Sequence, residues 1–278
     1  MRTLVQLSDL HFGRVDPELL APLRTLVHTL APDVVVVSGD LTQRARSEQF
    51  EAARAWLDSL PRPQVIVPGN HDIPLYDVVR RFVLPLERYK RYITDDLEPT
   101  YVDDEIAVLG VNTARSLTFK DGRVNQGQMA RLRARLTELD PALTRVIVTH
   151  HPFDLPQDYD KGDLVERAPM AMQVFAQCGV DVLLAGHLHT SLAGNTAARY
   201  QISEYAALVV QAGTATSTRG RGEVNSFNVL RIEPERVEVD RYGWDVVEKV
   251  FRPTATDTFF RTGNVWAPHT DGMLAAGI

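Results

Sequence analysis

The chain has almost no cysteine. Its single thiol, Cys178 among 278 residues, excludes an intrachain disulfide and any cysteine-cluster metal site. Long apolar runs are missing too: none approaches the ~18 residues that span a bilayer, so stable membrane insertion is not expected. Basic residues are in deficit, 30 against 36 acidic, for a net charge of −6. A protein that grips a nucleic acid duplex needs a broad basic face, and this balance argues against one. The opening segment, Met1-Arg2-Thr3-Leu4-Val5-Gln6-Leu7, is too short and too polar for a secretory leader, so the cytoplasm is the expected location. No internal repeat or low-complexity segment is present. Histidine is sparse, eight in all. Yet His11, His71, His150, His151, His187 and His189 fall in short polar clusters, and only His28 and His269 stand apart.

What is present alternates between β-branched runs and segments of helical period. A strand is expected over residues 3–7. Asp16 can cap a helix that begins at Pro17 and buries Leu19, Leu20, Leu23, Leu26, Val27 and Leu30. Val34 to Val37 reads as a strand covered on both faces. Ser47 can cap a second helix, with Phe50, Ala53, Leu57 and Leu60 facing inward, and a third strand covers 65–67. This βαβαβ order implies parallel strands with right-handed crossovers. Residues 78–92 hold a helix broken near Pro85. Two strands, 100–102 and 106–111, flank the acidic turn Asp103-Asp104-Glu105, which reads as a solvated hairpin. A helix with Met129, Leu132, Leu136 and Leu139 on one face follows, then buried strands at 146–148 and 182–184. Past residue 195 the pattern is all-β, at 208–211, 227–232, 237–242 and 246–251. Residues 1–252 therefore read as one domain. Residues 253–278 read as a Thr- and Gly-rich tail that packs on the core, on a partner subunit or over the site entrance.

Five of the expected strands end in polar clusters: Ser8-Asp9-Leu10-His11, Ser38-Gly39-Asp40, Gly69-Asn70-His71-Asp72, Thr149-His150-His151 and Ala185-Gly186-His187-Leu188-His189. Ligands of open α/β sheets bind beyond the carboxyl ends of the strands, so the clusters should converge. Carboxylate, amide oxygen and imidazole without thiolate suit a first-row transition metal. Asp9, His11, Asp40, Asn70, His150, His187 and His189 are too many for one ion beside a substrate. They suit two ions ~3.5–4 Å apart, the arrangement that clamps an in-line displacement at phosphorus.

Asp-x-His, Gly-Asp, Gly-Asn-His-Asp, His and Gly-His-x-His, in this order over residues 3–245, resemble the calcineurin-like metallophosphoesterases. The resemblance implies an α/β fold, a four-layer αββα sandwich of two mixed β-sheets flanked by helices. It implies two divalent or trivalent ions, Mn, Fe or Zn. Asp9, His11, Asp40 and His189 would hold one; Asn70, His150 and His187 would complete the other, with Asp40 as bridge. His71 would stand by the leaving group as the catalytic proton donor. Attack by a metal-activated hydroxide would then hydrolyse a phosphoric ester.

Departures narrow the reaction. Gln43 stands where purple acid phosphatases have tyrosine, so no tyrosinate–iron colour is expected. Leu41-Thr42-Gln43-Arg44 is not the Asp-Arg-Gly pattern of protein serine/threonine phosphatases. Gly39-Asp40-Leu41-Thr42 and His150-His151-Pro152 look most like the bacterial cyclic-nucleotide and glycerophosphodiester phosphodiesterase branch. A small phosphodiester is the expected substrate. A lipid-linked pyrophosphate, a phospholipid head group or a phosphomonoester is the alternative, and a non-catalytic scaffold a distant one. Arg219, Arg221, Asn112 and His151 are the candidate substrate contacts, and a homo-oligomer is left open.

Overall fold

The computed structural model describes residues 1–117, 120–155, 161–219 and 222–269. Asp16 accepts the amide of Glu18 at 3.0 Å and starts helix α1 (Pro17–Leu30), whose Leu19, Leu23 and Val27 are buried. This helix links β1 (Arg2–Leu7) to β2 (Val34–Ser38); α2 (Ser47–Leu57) leads on to β3 (Gln64–Val67). β1 pairs parallel with β2, and β2 with β3. The cap of α2 is Arg46, one residue before the expected Ser47, and a guanidinium has no acceptor to offer the first amides. Residues 78–92 form two short helices, α3 (Val78–Val83) and α4 (Glu87–Tyr92), separated around Pro85.

The second sheet is built from β4 (Thr100–Val102), β5 (Ile106–Gly110), β6 (Thr144–Val148), β7 (Val182–Ala185), β8 (Leu192–Asn195) and β9 (Leu208–Gln211). Helices α5 (Gln126–Glu138) and α6 (Ala168–Gln177) lie between its strands in sequence and pack on it. Its order is β4-β5-β6-β7-β9-β8, parallel in the middle and antiparallel at both edges. β10 (Ser226–Glu233), β11 (Arg236–Asp245), β12 (Val250–Thr262) and β13 (Val265–Pro268) complete the first sheet as β13-β12-β11-β10-β1-β2-β3.

Strand alternation shows how the layers stack. Val34 and Val36 point between the sheets, where they meet Val146, Val148, Val182, Leu184 and Leu230. Val35 and Val37 point outward into the cluster formed with α1 and α2, around Leu23, Val27, Phe50 and Leu57. Ile147 and Leu183 face Leu132, Met172 and Phe175 on the far side. Helix, sheet, sheet and helix therefore stack in four layers, as the resemblance implies.

The C-terminal stretch departs from its sequence pattern. A strand is expected at 246–251, but Asp245 caps a turn by accepting the amides of Val247 and Glu248, both at 2.9 Å, and β12 starts only at Val250. β12 then runs through residue 253, where the tail was expected to begin, and β13 folds back on it. Phe259 and Trp266 are buried between the sheets, with Trp266 Nε1 donating to Asp181 Oδ1 at 3.1 Å.

Candidate metal centre

Parallel β1, β2 and β3 end at one edge of the first sheet, and β6 and β7 end at the facing edge of the second. Backbone bonds tie the loops beyond them. Asp9 N–H donates to Gly39 O at 3.2 Å, His11 N–H to Asp40 O at 2.9 Å, and Gly186 N–H to His150 O at 3.0 Å. Across the sheets, His187 N–H donates to Asp9 Oδ2 at 3.1 Å. The approach is so close that a Cβ on Gly69 would overlap the Asp40 carboxylate, and one on Gly186 would overlap Ser8 Oγ. Asp72 locks two of the loops together, accepting the amides of Leu41, Thr42 and Gly69 at 3.1, 2.9 and 2.9 Å.

All seven expected ligands come together. Three groups of donor atoms each lie within 4.8 Å of one another: Asp9, His11 and His189; Asp9, Asp40 and His150; His150, His151 and His187. Asp40 turns Oδ1 toward His150 Nε2 (3.4 Å) and Oδ2 toward His11 Nε2 (3.7 Å), so its two oxygens face two groups. Asn70 Oδ1 lies 3.0 Å from His150 Nε2, and His187 Nδ1 lies 3.3 Å from it. Asp9, His11, Asp40, His187 and His189 all adopt left-handed backbone angles, with φ of 54, 50, 53, 76 and 60°. That conformation costs a non-glycine residue on the order of 1–2 kcal/mol, and its concentration here marks a functional constraint.

The residues fit metal ions. Asp9 Oδ1 and both ring nitrogens of His11 are buried without a hydrogen-bond partner among the described residues. Each such orphan costs on the order of 1–3 kcal/mol unless something binds it. Burial raises the carboxylates of Asp9 and Asp40, but His189 and His11 at the first and His150 at the second outweigh it and hold both below the ordinary range. Burial also opposes charge on His150, yet Asp40 pushes it up to about 9. Burial and the neighbouring His150 take His187 down to about 3. Ionised carboxylates beside a neutral imidazole are the kind of donor set a metal cation takes. His150 donates Nδ1–H to Ser38 O at 2.8 Å, so the nitrogen that would exchange its proton for a metal is Nε2, which faces Asp40 and Asn70. A carbonyl on the far nitrogen is the usual way to orient a ligating imidazole.

Four of the metal-ligand candidates, Asp40, Asn70, His187 and His189, line a cavity of about 240 Å³ together with Gln43, Arg44, His71, Lys120 and Arg219. His71 Nδ1 lies 3.0 Å from Gln43 O, and its Nε2 lies 2.9 Å from Arg219 Nη1. Two expected substrate contacts do not line this cavity. Asn112 lines a neighbouring cavity and spends its side-chain oxygen on the Ala114 amide at 2.9 Å. His151 is buried, with Nδ1 bonded to Thr113 Oγ1 at 2.8 Å and Nε2 to Lys120 O at 2.9 Å, so both nitrogens already hold the protein together. Arg221 lies outside the described residues. Sequence reasoning missed Arg44, Lys120 and Thr214. Thr214 Oγ1 meets His189 Nδ1 at 2.6 Å and sits in the polar stretch after β9, which was a usable signal; lone Arg44 and Lys120 offered none.

A profile of calcineurin-like phosphoesterases matches residues 2–191. The chain belongs to that family. Its members generally bind two divalent metal ions, in keeping with the ligand groups above. Among curated relatives, glycerophosphodiester phosphodiesterase GpdQ of Enterobacter lignolyticus is 30% identical over 159 residues, covering 53% of this chain and 55% of GpdQ. The chain thus matches about half the length of that relative. A probable cyclic nucleotide phosphodiesterase of Synechococcus is 26% identical, covering 67% of this chain and 73% of its own. Among solved structures, purple acid phosphatase PPD1 of yellow lupin superposes with a TM-score of 0.70 at 12% identity, over 92% of this chain and 53% of its own. That likeness concerns the fold. Among the described residues no helix is long and apolar enough to cross a membrane.

Proposed function

We propose that this calcineurin-like phosphoesterase hydrolyses a small phosphodiester with two transition metal ions, Mn, Fe or Zn. The observation that carries the reading is the meeting of Asp9, His11, Asp40, Asn70, His150, His187 and His189 beside a cavity that Asp40, Asn70, His187 and His189 line together with His71 and Arg219. Asp9, His11, Asp40 and His189 would hold one ion; Asn70, His150 and His187, with Asp40 between, would hold the other. When bound, the pair supplies a hydroxide at neutral pH and neutralises charge growing on the phosphoryl oxygens.

The chain's own groups do the rest. Arg219 offers guanidinium donors to a phosphoryl oxygen. Gln43 O accepts Nδ1–H of His71 and so aims Nε2 at the cavity. Burial lowers the His71 pKa, so the ring rests neutral with its lone pair at Nε2, and the proton it gives the leaving oxygen must first be taken up there. The likeness to relatives named as phosphodiesterases supports a diester over a monoester as this chain's substrate.

One observation supports a second arm of specificity. Ile73 lines the metal-side cavity and also a neighbouring one of about 450 Å³, walled by Val83, Leu84, Pro85, Leu86 and Leu97. An apolar ester arm, as in a phospholipid-type substrate, fits that surface. Metal-reconstituted protein assayed on bis-aryl and mono-aryl phosphates, cyclic AMP, glycerophosphodiesters and a lipid pyrophosphate tests the reading. Diesters should be preferred. Turnover of the monoester alone, or no bound metal after reconstitution, would sink it.

A further inference from the structure

Three arginines beside the metal-binding loops make no ion pair with a carboxylate among the described residues. Arg14 follows the His11 loop, Arg44 follows the Asp40 loop, and Arg219 lies between β9 and β10. Together with Arg46, Gln43 and Gln49 they line one cavity of about 340 Å³. Four guanidinium groups thus surround a single concavity in a chain whose net charge is −6. Of the four, only Arg46 forms an ion pair among the described residues, with the exposed Glu48 at 3.9 Å.

Hydrogen bonds between the loops hold the arrangement in place. Arg14 O accepts Thr218 N–H at 3.0 Å, joining the first and last of the three loops. Gln43 N–H donates to Phe12 O at 2.9 Å, joining the first and second. Gln49 Oε1 accepts the Arg44 amide at 2.9 Å. Gly13, at φ +100°, makes the turn that presents Arg14, and a Cβ there would overlap Gln49. Burial, then Arg44 and Arg14, work to lower the Arg219 pKa, with Asp40 and Asp9 opposing them. Arg46 also adds a cation at the N-terminus of α2, the positive end of the helix dipole. Arg44 also lies over the Tyr76 ring, 5.4 Å from its centroid, and Arg219 bonds His71. Several guanidinium forks converging on one cavity suit a phosphate, whose oxygens can accept from more than one of them.

This cavity shares Gln43, Arg44 and Arg219 with the metal-side cavity, on the other flank from Ile73 and the apolar surface. We infer that the arginine cavity is a subsite for a second phosphate, carried on one ester arm of a diester whose scissile phosphorus lies at the metal centre. The placement of that arm rests on the phosphodiesterase reading; the anion site does not.

The two parts are tested separately. Inorganic phosphate is titrated calorimetrically into metal-free protein held in chelator. Binding is expected, and it should weaken roughly tenfold or more in Arg14→Ala and in Arg44→Ala and fall with added salt. No binding, or binding that neither substitution changes, overturns the site. Metal-loaded protein is then given a p-nitrophenyl thymidine phosphodiester with and without a further phosphate on the free sugar hydroxyl. The phosphorylated diester should have the lower KM, by about tenfold, and the advantage should shrink in Arg14→Ala/Arg44→Ala. Equal KM for the two in wild type overturns the substrate class. Hydrolysis of neither, with phosphate still bound by the metal-free protein, overturns the phosphodiesterase reading and with it the diester arm.

Discussion

Arg219 donates from Nη1 to Nε2 of His71 across 2.9 Å, while the opposite ring nitrogen faces Gln43 O at 3.0 Å. The carbonyl can only accept, so the neutral ring carries its proton on Nδ1 and its lone pair toward the cavity. A substrate oxygen that takes the Arg219 donor therefore also frees His71 Nε2. The two residues should fail differently when removed. His71→Ala should lower kcat ~10²-fold or more, the scale of a lost acid–base group, with metal content unchanged. Arg219→Ala should act chiefly on KM. Steady-state kinetics on a bis-aryl phosphate beside metal analysis separates the two. Full activity in His71→Ala would remove it from the reaction.

Asp40 presents one oxygen toward His150 and the other toward His11, so its loss should disturb both ligand groups. Asp40→Asn should cut turnover by ~10²-fold or more and lower the metal bound per chain from about two. The wild-type protein should also melt at a lower temperature in chelator. Ions that bind only the folded chain stabilise it by about 2.7 kcal/mol when present at a hundred times their dissociation constant. Equal melting temperatures with and without chelator, in protein shown by metal analysis to be loaded, would contradict ligation by these buried donors.

Much of the candidate centre was legible because each candidate ligand follows a buried strand. Val34 to Val37 and Val146 to Val148 announce themselves by composition, and Asp40 and His150 come directly after them. Parallel pairing aligns the strand ends within each sheet, and the loops beyond them meet across the two sheets. The supports were not legible. Ser38 O, which orients His150, is a backbone atom with no sequence signature. Arg14, Arg44 and Arg219 lie far apart in the chain, and only the loop-to-loop bonds gather them. β12 escaped notice because its face is largely exposed, so Thr254, Thr256 and Thr258 lack the apolar alternation that marks a half-buried strand.

The acidic turn between β4 and β5 makes a prediction about stability. Asp103 Oδ1 accepts the amides of Glu105 and Ile106 at 2.8 and 2.9 Å, and Oδ2 accepts from Arg2 Nε and Tyr101 Oη at 2.7 and 2.8 Å. Burial opposes the charge, but these four donors outweigh it and hold the carboxyl below its ordinary value. The folded chain thus binds this proton less readily than the unfolded one. Its stabilisation is whole above the unfolded value of about 4 and is lost as pH falls through the lower folded value. Asp103→Asn should cost about 1–3 kcal/mol at neutral pH, the scale of hydrogen bonds to a charged group. Denaturant titrations at neutral and acidic pH should show the gap between wild type and variant narrowing as the pH falls. A gap that stays constant would mean that the charge contributes nothing.

Gly69 offers the sharpest test of how tightly the centre is built. Its backbone is extended, so alanine meets no conformational barrier there. What it meets is the Asp40 carboxylate and amide, both within bonding reach of a new Cβ. Asp40 cannot retreat freely. His71 N–H donates to its Oδ1 at 2.8 Å, and Asp72 pins the loops on both sides. The alanine methyl must therefore displace either Asp40 or the 70–72 turn that carries Asn70 and His71. Overpacking of this kind typically costs 1–3 kcal/mol, roughly what a domain of this size can lose and still fold. Gly69→Ala should therefore remain folded by circular dichroism, bind fewer metal ions and lose most of its activity. Gly263→Ala, where a Cβ meets open space, should leave metal content and turnover near wild type despite the strain of its φ of +62°. If Gly69→Ala keeps full metal content and turnover, the ligands tolerate more movement than the contacts around Asp40 allow.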